Sequence, residues 1–306
     1  MWSYLARKLL ALPFILVAVS FLIFGAVRLL PGDPARVMAG PQATQDAVDD
    51  MRVRMGLTRP FLVQYQTFFT GALKGDLGES IHSKQPVTRD IAERFPYTVA
   101  LALTSYAFAS VVGLTFGILA ALYRGRLLDH LVMFFAILGA SIANFWLALL
   151  AMNLFSVKLG WLPLLGADSW QSIILPSITL GVLPAALIAR MTRSSMLEII
   201  NQDYVRTARA KGLNTTRVYV KHALRNALIP IVTIVGLSFG GLLGGAVITE
   251  SVFNWPGIGR LLVDAVRFRD YAVIQGVTLL TVTIVVVTNF LVDLLLSVVD
   301  PRIRFD

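Results

Sequence analysis

Apolar residues fall in six long blocks: Leu9–Leu30, Tyr97–Tyr123, His130–Ser156, Ser172–Arg190, Ile229–Glu250 and Val273–Val298. A helix needs about 20 mainly apolar residues to cross the hydrocarbon of a bilayer. Val, Ile and Leu dominate the blocks without short-range alternation, which argues for helices and against outer-membrane strands. The pattern predicts an all-α integral membrane protein with six transmembrane helices. The first block follows Arg7 and Lys8 as the core of a signal peptide would, but it is too long for one and lacks a small-residue exit. It reads as a retained span.

The polar stretches complete the plan. Residues 1–30 carry the N-terminus and the first helix. Residues 31–96 form a large segment opening with Pro31-Gly32-Asp33-Pro34, which forces a turn. Within it, 43–57 and 60–73 read as short helices, and Gly75, Asp76 and Gly78 end the second. Residues 97–298 hold helices two to six, including a basic loop at 191–228 and a second loop at 251–272. That second loop contains the turn Asn254-Trp255-Pro256-Gly257, followed by an amphipathic helix from Ile258 to about Val266. Residues 299–306 are a tail.

Composition sharpens this picture. Of 306 residues, 56% are hydrophobic and 15% charged; mean hydropathy is +0.72. Soluble domains average about 45–50% apolar and 25% charged. There are no cysteines, which excludes disulfides, iron–sulfur clusters and thiolate metal sites. The net charge of +9 could suggest nucleic-acid binding, but such a reader must be soluble. Orientation explains the charge better. With the N-terminus inside, the inner segments hold roughly 14 basic against 6 acidic residues, while the outer ones balance. Both termini are then cytoplasmic and 31–96 lies outside.

The loop at 191–228 carries the most information. Asp203 can cap a helix. Tyr204, Ala208 and Gly212 then share a face, and Ala208, Ala210 and Gly212 keep the helix slim. Gly212 suits a left-handed stop, with Arg209 and Lys211 at the negative end of the dipole. The residues leave two readings open: a slim helix that admits another protein surface, or an interfacial helix with Arg206, Arg209, Lys211 and Arg217 toward lipid headgroups.

This stretch resembles the cytoplasmic coupling loop of ABC-importer permeases. Thr207-Ala208 align with the paired alanines of that loop, Gly212 with its glycine and Leu224 with its later leucine. Arg206 and Arg225 depart from the general pattern, and both are typical of the dipeptide/oligopeptide branch. Leu30-Pro31-Gly32-Asp33-Pro34, Gly75-Asp76-Leu77-Gly78 and the run Val252–Leu262 are similar to the B-type permeases of that branch. Leu159-Gly160-Trp161-Leu162-Pro163 and Gly166–Trp170 look most like glutathione-importer permeases.

The resemblance implies a type I ABC importer permease fold, in a bacterial inner membrane, with an extracytoplasmic segment between helices 1 and 2. It implies ATP-driven, binding-protein-dependent import of peptides: dipeptide, oligopeptide or glutathione. Implied partners are a second homologous permease, two ATPase subunits and a periplasmic substrate-binding protein. The implied ATPase contact is Asp203, Tyr204, Arg206, Thr207, Ala208, Arg209, Ala210, Lys211 and Gly212. The chain contains no Gly-x-x-x-x-Gly-Lys-Ser/Thr loop, so ATP and Mg are expected on partners and no cofactor on this chain.

Polar and small residues inside the blocks suggest a solute path. Asn144, Asn289 and the bare face Gly240, Gly241, Gly244 and Gly245 are candidates, against a simpler role in helix packing. Asp293 could serve a pathway or face water near its helix end. Arg28 can snorkel. Asp33, Asn254, Trp255, Pro256 and Gly257 are candidate contacts for a binding protein. Catalysis finds no support: His82, His130 and His222 lack ligand spacing, and no Gly-x-Ser-x-Gly occurs. The rivals are an ion-driven secondary transporter and a structural factor with no solute path.

Overall fold

A computed structural model of the chain describes residues 2–29, 33–40, 42–211, 227, 231, 242 and 246–299. Gly212, Gly240, Gly241, Gly244, Gly245 and most of the predicted fifth span lie outside the described residues. Among the described residues the structure is helical, with no strand and one isolated bridge between Glu79 and Pro86. Among the described residues four helices are long and apolar enough to span a membrane: α1 (Trp2–Leu29), α5 (Val87–Leu122), α8 (Ile174–Ile200) and α11 (Tyr271–Val299).

The predicted third span is broken. Its two halves, α6 (Leu127–Ser141) and α7 (Asn144–Ala151, continued as a π-helix through Lys158), meet at 106°. Ile142 and Ala143 adopt extended backbone there. Ser141 Oγ donates to the Ile137 carbonyl at 2.8 Å, the back-bonding that tends to bend helices. Two other boundaries differ from expectation. The second helix starts ten residues before Tyr97, and α8 runs on through Arg190 to Ile200. In both places the helix ladder continues past the polar residues that bound the apolar block. Pro176 lies in the first turn of α8, where no donor is needed. Pro184 lies inside it and leaves α8 one continuous helix.

The chain forms two compact units. One comprises Val99–Trp255 with the chain from Thr288 onward. In it α5 and α8 pack backbone to backbone through glycine. A Cβ on Gly117 would stand 2.6 Å from the Ala189 carbonyl oxygen, and one on Gly113 would stand 2.7 Å from Ile188 Cβ. Gly181 on α8 returns the contact against Ser105 and Phe108. Small residues at this spacing let helices approach closely in lipid, where the hydrophobic effect does not drive association. Ala109, Ala185 and Ile188 fill the seam.

The other unit comprises Trp2–Thr98 and Pro256–Val287. It contains α2 (Pro34–Ala39), α3 (Gln45–Arg54), α4 (Phe61–Leu73) and α10 (Ile258–Phe268). Helices α3 and α4 fall where the hydrophobic pattern predicts. Helix α2 was not foreseen: Pro34 sits at its first position and Asp33 caps it by accepting from Ala35 N at 3.0 Å. Aromatic rings join α4 to α1, with Phe24 against Phe61, Tyr65 and Phe68. A second core forms where Val87 and Ile91 of α5 meet Ile258, Leu261 and Ala265 of α10 and Val273, Ile274 and Val277 of α11.

Candidate functional site

The helix expected to contact a partner is present as α9 (Asp203–Ala210). It follows α8 after a turn at Asn201 and Gln202. The Gln202 carbonyl accepts from both Val205 N and Arg206 N at 3.1 Å, so the helix starts one residue earlier than the expected Asp203 cap. Asp203 instead lies in the first turn, where a carboxylate favours the positive end of the dipole. It pairs loosely with Arg206 at 3.7 Å. Thr207 Oγ1 donates to the Asp203 carbonyl at 2.9 Å, and Lys211 N reaches the Thr207 carbonyl at 3.0 Å.

Val205 is fully buried. Asp203, Tyr204, Arg206, Thr207, Ala210 and Lys211 are all exposed. Ala208 and Arg209 complete the helix between them. Val205 is therefore buried among exposed side chains of the same helix.

The end of α8 that leads into α9 is packed in an apolar cluster. Met196 of α8 is fully buried with Ala121, Ala227 and Ile231, and Leu197, Ile199 and Ile200 flank them. One turn above, Arg193 is held by Asp129 of α6. Nε donates to Oδ1 at 2.6 Å and Nη2 to Oδ2 at 2.8 Å. Asp129 is buried and also accepts from Gly125 N at 3.0 Å. This clamp ties the α5–α6 turn to the part of α8 that leads into α9. Sequence reasoning missed it; the one signal was an acidic residue in the first turn of an otherwise apolar helix.

The second loop is partly interior. Trp255 packs with Leu101, Leu180, Leu242 and Ala246, and Gly257 is buried too. Of this turn Asn254 is exposed and Pro256 half-buried. Asn254 adopts positive φ, +56°, which asparagine tolerates better than most residues. Asp33 is committed to its cap and to Arg52 Nη2 at 2.5 Å. That hydrogen bond, with the Asp33 and Asp49 charges, pushes the Arg52 guanidinium above its ordinary pKa against a small opposing cost of burial.

Of the path candidates, Asn144 stands half-buried at the first position of α7, directly after the break. Asn289 is exposed on α11. Among the described residues no cluster of His, Cys, Asp and Glu could hold a metal.

Comparison with known proteins agrees with this architecture. Residues 113–305 match the family described as binding-protein-dependent transport system inner membrane component. Residues 1–102 match the N-terminal family of such membrane components. The chain is 49% identical over 305 residues to a glutathione transport system permease protein of Salmonella paratyphi A, covering 100% of both. It is 48% identical, again with 100% of both covered, to the protein of the same name in Escherichia coli strain K12. Among solved structures it is similar to a chain of the inward-facing methionine ABC transporter MetNI, with TM-score 0.59, 24% identity, and coverage of 69% of this chain and 96% of that one. That likeness establishes the type I importer fold. A permease of this kind works with an ATPase and a substrate-binding protein. The chain belongs to the binding-protein-dependent transport system inner membrane component family and is a membrane-embedded ABC importer permease, a transport protein and not an enzyme.

Proposed function

We propose that this chain forms half of the translocation path of a peptide importer in a bacterial inner membrane, with glutathione as the leading substrate. The observation that carries the substrate is identity of 49% along the whole length of a glutathione permease. A second homologous permease supplies the other half. Two ATPase subunits bind ATP and Mg, and this chain carries no cofactor. A periplasmic protein delivers the peptide.

The charge pattern supports cytoplasmic termini and an outward 31–96 segment. On that orientation α9 faces the ATPases with Asp203 to Lys211, and Gly212 follows it. Its exposed surface on a buried Val205 anchor supports the reading. Asn144, Asn289 and the glycines at 240, 241, 244 and 245 border the path. Asn254 and Pro256, rather than the buried Trp255 and Gly257, offer the second outer loop to the binding protein, with Asp33 contributing from the cap of α2.

The test is uptake of labelled glutathione into proteoliposomes holding the complete complex. Uptake that requires ATP and the binding protein, and that excess unlabelled glutathione suppresses, supports the proposal. Uptake driven by an ion gradient through this chain alone would overturn it.

A further inference from the structure

The smaller unit contains a basic cavity that the transport reading does not use. It encloses about 400 Å³ and is bordered by Arg28, Arg54, Arg59, Gln64, Asp76 and Gln275, among others. Arg28 stands in the last turn of α1, with its guanidinium 4.1 Å from the Phe24 ring centroid. Arg54 ends α3. Arg59 follows in the turn before α4.

Among the described residues these three arginines make no ion pair, whereas Arg52 is neutralised by Asp33 and Asp49. Among the described residues Asp76 is the one carboxylate bordering the cavity, and its Oδ1 accepts from Gly78 N at 2.9 Å. The cavity is therefore cationic.

Gln64 adds a second, independent observation. Its Nε2 donates to the Leu57 carbonyl at 3.1 Å and the Arg59 carbonyl at 2.6 Å. Both amide hydrogens are used, so the amide cannot be reversed without setting oxygen against oxygen. The other atom, Oε1, is buried and has no hydrogen-bond partner among the described residues. A buried acceptor left unmade is costly, and it calls for a donor from outside the chain. Three unpaired cations beside an orphaned acceptor specify an anion that carries its own N–H or O–H.

We propose that this cavity binds a compact anionic group with an adjacent hydrogen-bond donor. Two sources share that chemistry: the carboxylate and amide of a small peptide, and the phosphodiester and hydroxyl of a lipid headgroup. Arg28 closes the apolar span Leu10–Leu29, so the cavity lies at the edge of the membrane, within reach of both. An adjoining cavity of about 440 Å³ shares Arg28 and Gln275 and leaves room for more than one phosphate. The peptide source rests on the proposed function; the lipid source does not.

The experiment uses the complete transporter in phosphatidylcholine membranes with and without phosphatidylglycerol. The probes are glutathione in solution and phosphatidylglycerol itself. The test variant is the Arg54→Gln/Arg59→Gln pair, both exposed positions, with Gln64→Leu as a second. The control is Arg89→Gln, an exposed arginine paired with Glu93. A rise of about tenfold in KM for glutathione, with kcat kept and no dependence on lipid, assigns the peptide source. Loss of phosphatidylglycerol retained in native mass spectrometry assigns the lipid source. Unchanged KM together with unchanged retention overturns the proposal, as does an equal loss in Arg89→Gln. Should the wild-type complex import no glutathione, the proposed substrate fails and lipid retention alone decides the cavity.

Discussion

Arg193 grips both oxygens of Asp129 across 64 residues of chain, at 2.6 and 2.8 Å. The pair welds the α5–α6 turn to α8 a short way before α8 delivers α9. Asp129 is buried and Arg193 half-buried; removing one member of such a pair strands the other charge, whereas removing both is cheaper. Asp129→Ala is expected to destabilise the protein by about 3 kcal/mol. The Asp129→Ala/Arg193→Leu double variant should cost clearly less than the two single variants together. Unfolding of the detergent-solubilised chain measures this; simple additivity would show that the pair is not coupled.

Gly117 makes a second, steric prediction. Gly117→Val must part α5 from α8, because its Cβ alone would lie 2.6 Å from both the Ala189 carbonyl oxygen and Thr192 Cβ. Backbone cannot yield there as a flexible side-chain tip could. Gly125→Ala has open space around it and φ of +73°, so it carries left-handed strain alone, about 1 kcal/mol. Thermal unfolding should place Gly117→Val well below Gly125→Ala. Equal midpoints would mean that the helices do not pack through this seam.

The contrast between these two glycines shows what the hydrophobic pattern can and cannot convey. Long apolar blocks located α1, α5, α8 and α11, because a lipid-facing helix has few other ways to be built. They did not reveal the bend at Ile142 and Ala143, since neither residue interrupts hydropathy and no proline marks the spot. Arg190 ended a block but not a helix. Gly113 and Gly117 were inconspicuous among apolar neighbours, because their importance comes from Ile188 and Ala189, some 70 residues on. At Trp255 the composition signalled a turn correctly but held no information on which way the indole points. Helix α9 was legible because Gln202 to Lys211 is set by local spacing; its Val205 anchor was not, because burial depends on what α9 lies against.

Asp270 gives a prediction for the smaller unit. It is buried, and its Oδ1 accepts from Val273 N at 3.3 Å at the start of α11. Its Oδ2 accepts from Ser80 Oγ at 2.6 Å and His82 N at 3.2 Å. Asp270→Ala removes a helix cap, worth roughly 1 kcal/mol, and strands a buried hydroxyl at a further 1–3 kcal/mol. The turn at 80–85 should loosen, left to contacts such as the stacking of His82 on Phe268 and the hydrogen bond from Ser83 Oγ to Asp90 Oδ2 at 2.7 Å. Trypsin should cleave after the exposed Lys84 faster than in wild type, and Ser80→Ala should fall between. Unchanged cleavage would mean that Asp270 does not hold the turn.

Val205 separates the two readings of α9. It is fully buried while its neighbours on the helix are exposed. Val205→Asp places a carboxylate at that fully buried position, which is unfavourable unless the helix lifts away. If α9 is the ATPase contact, lifting it should abolish uptake and release the ATPases on purification. The exposed pair Arg206→Glu/Lys211→Glu should then weaken ATPase retention while changing stability by no more than about 0.5 kcal/mol. A helix that merely rests on anionic lipid behaves differently. Charge reversal would leave ATPase retention at the wild-type level and alter only the response to anionic lipid. Co-purification of the ATPases with each variant, in membranes with and without anionic lipid, therefore decides between a protein and a headgroup as the surface that α9 meets.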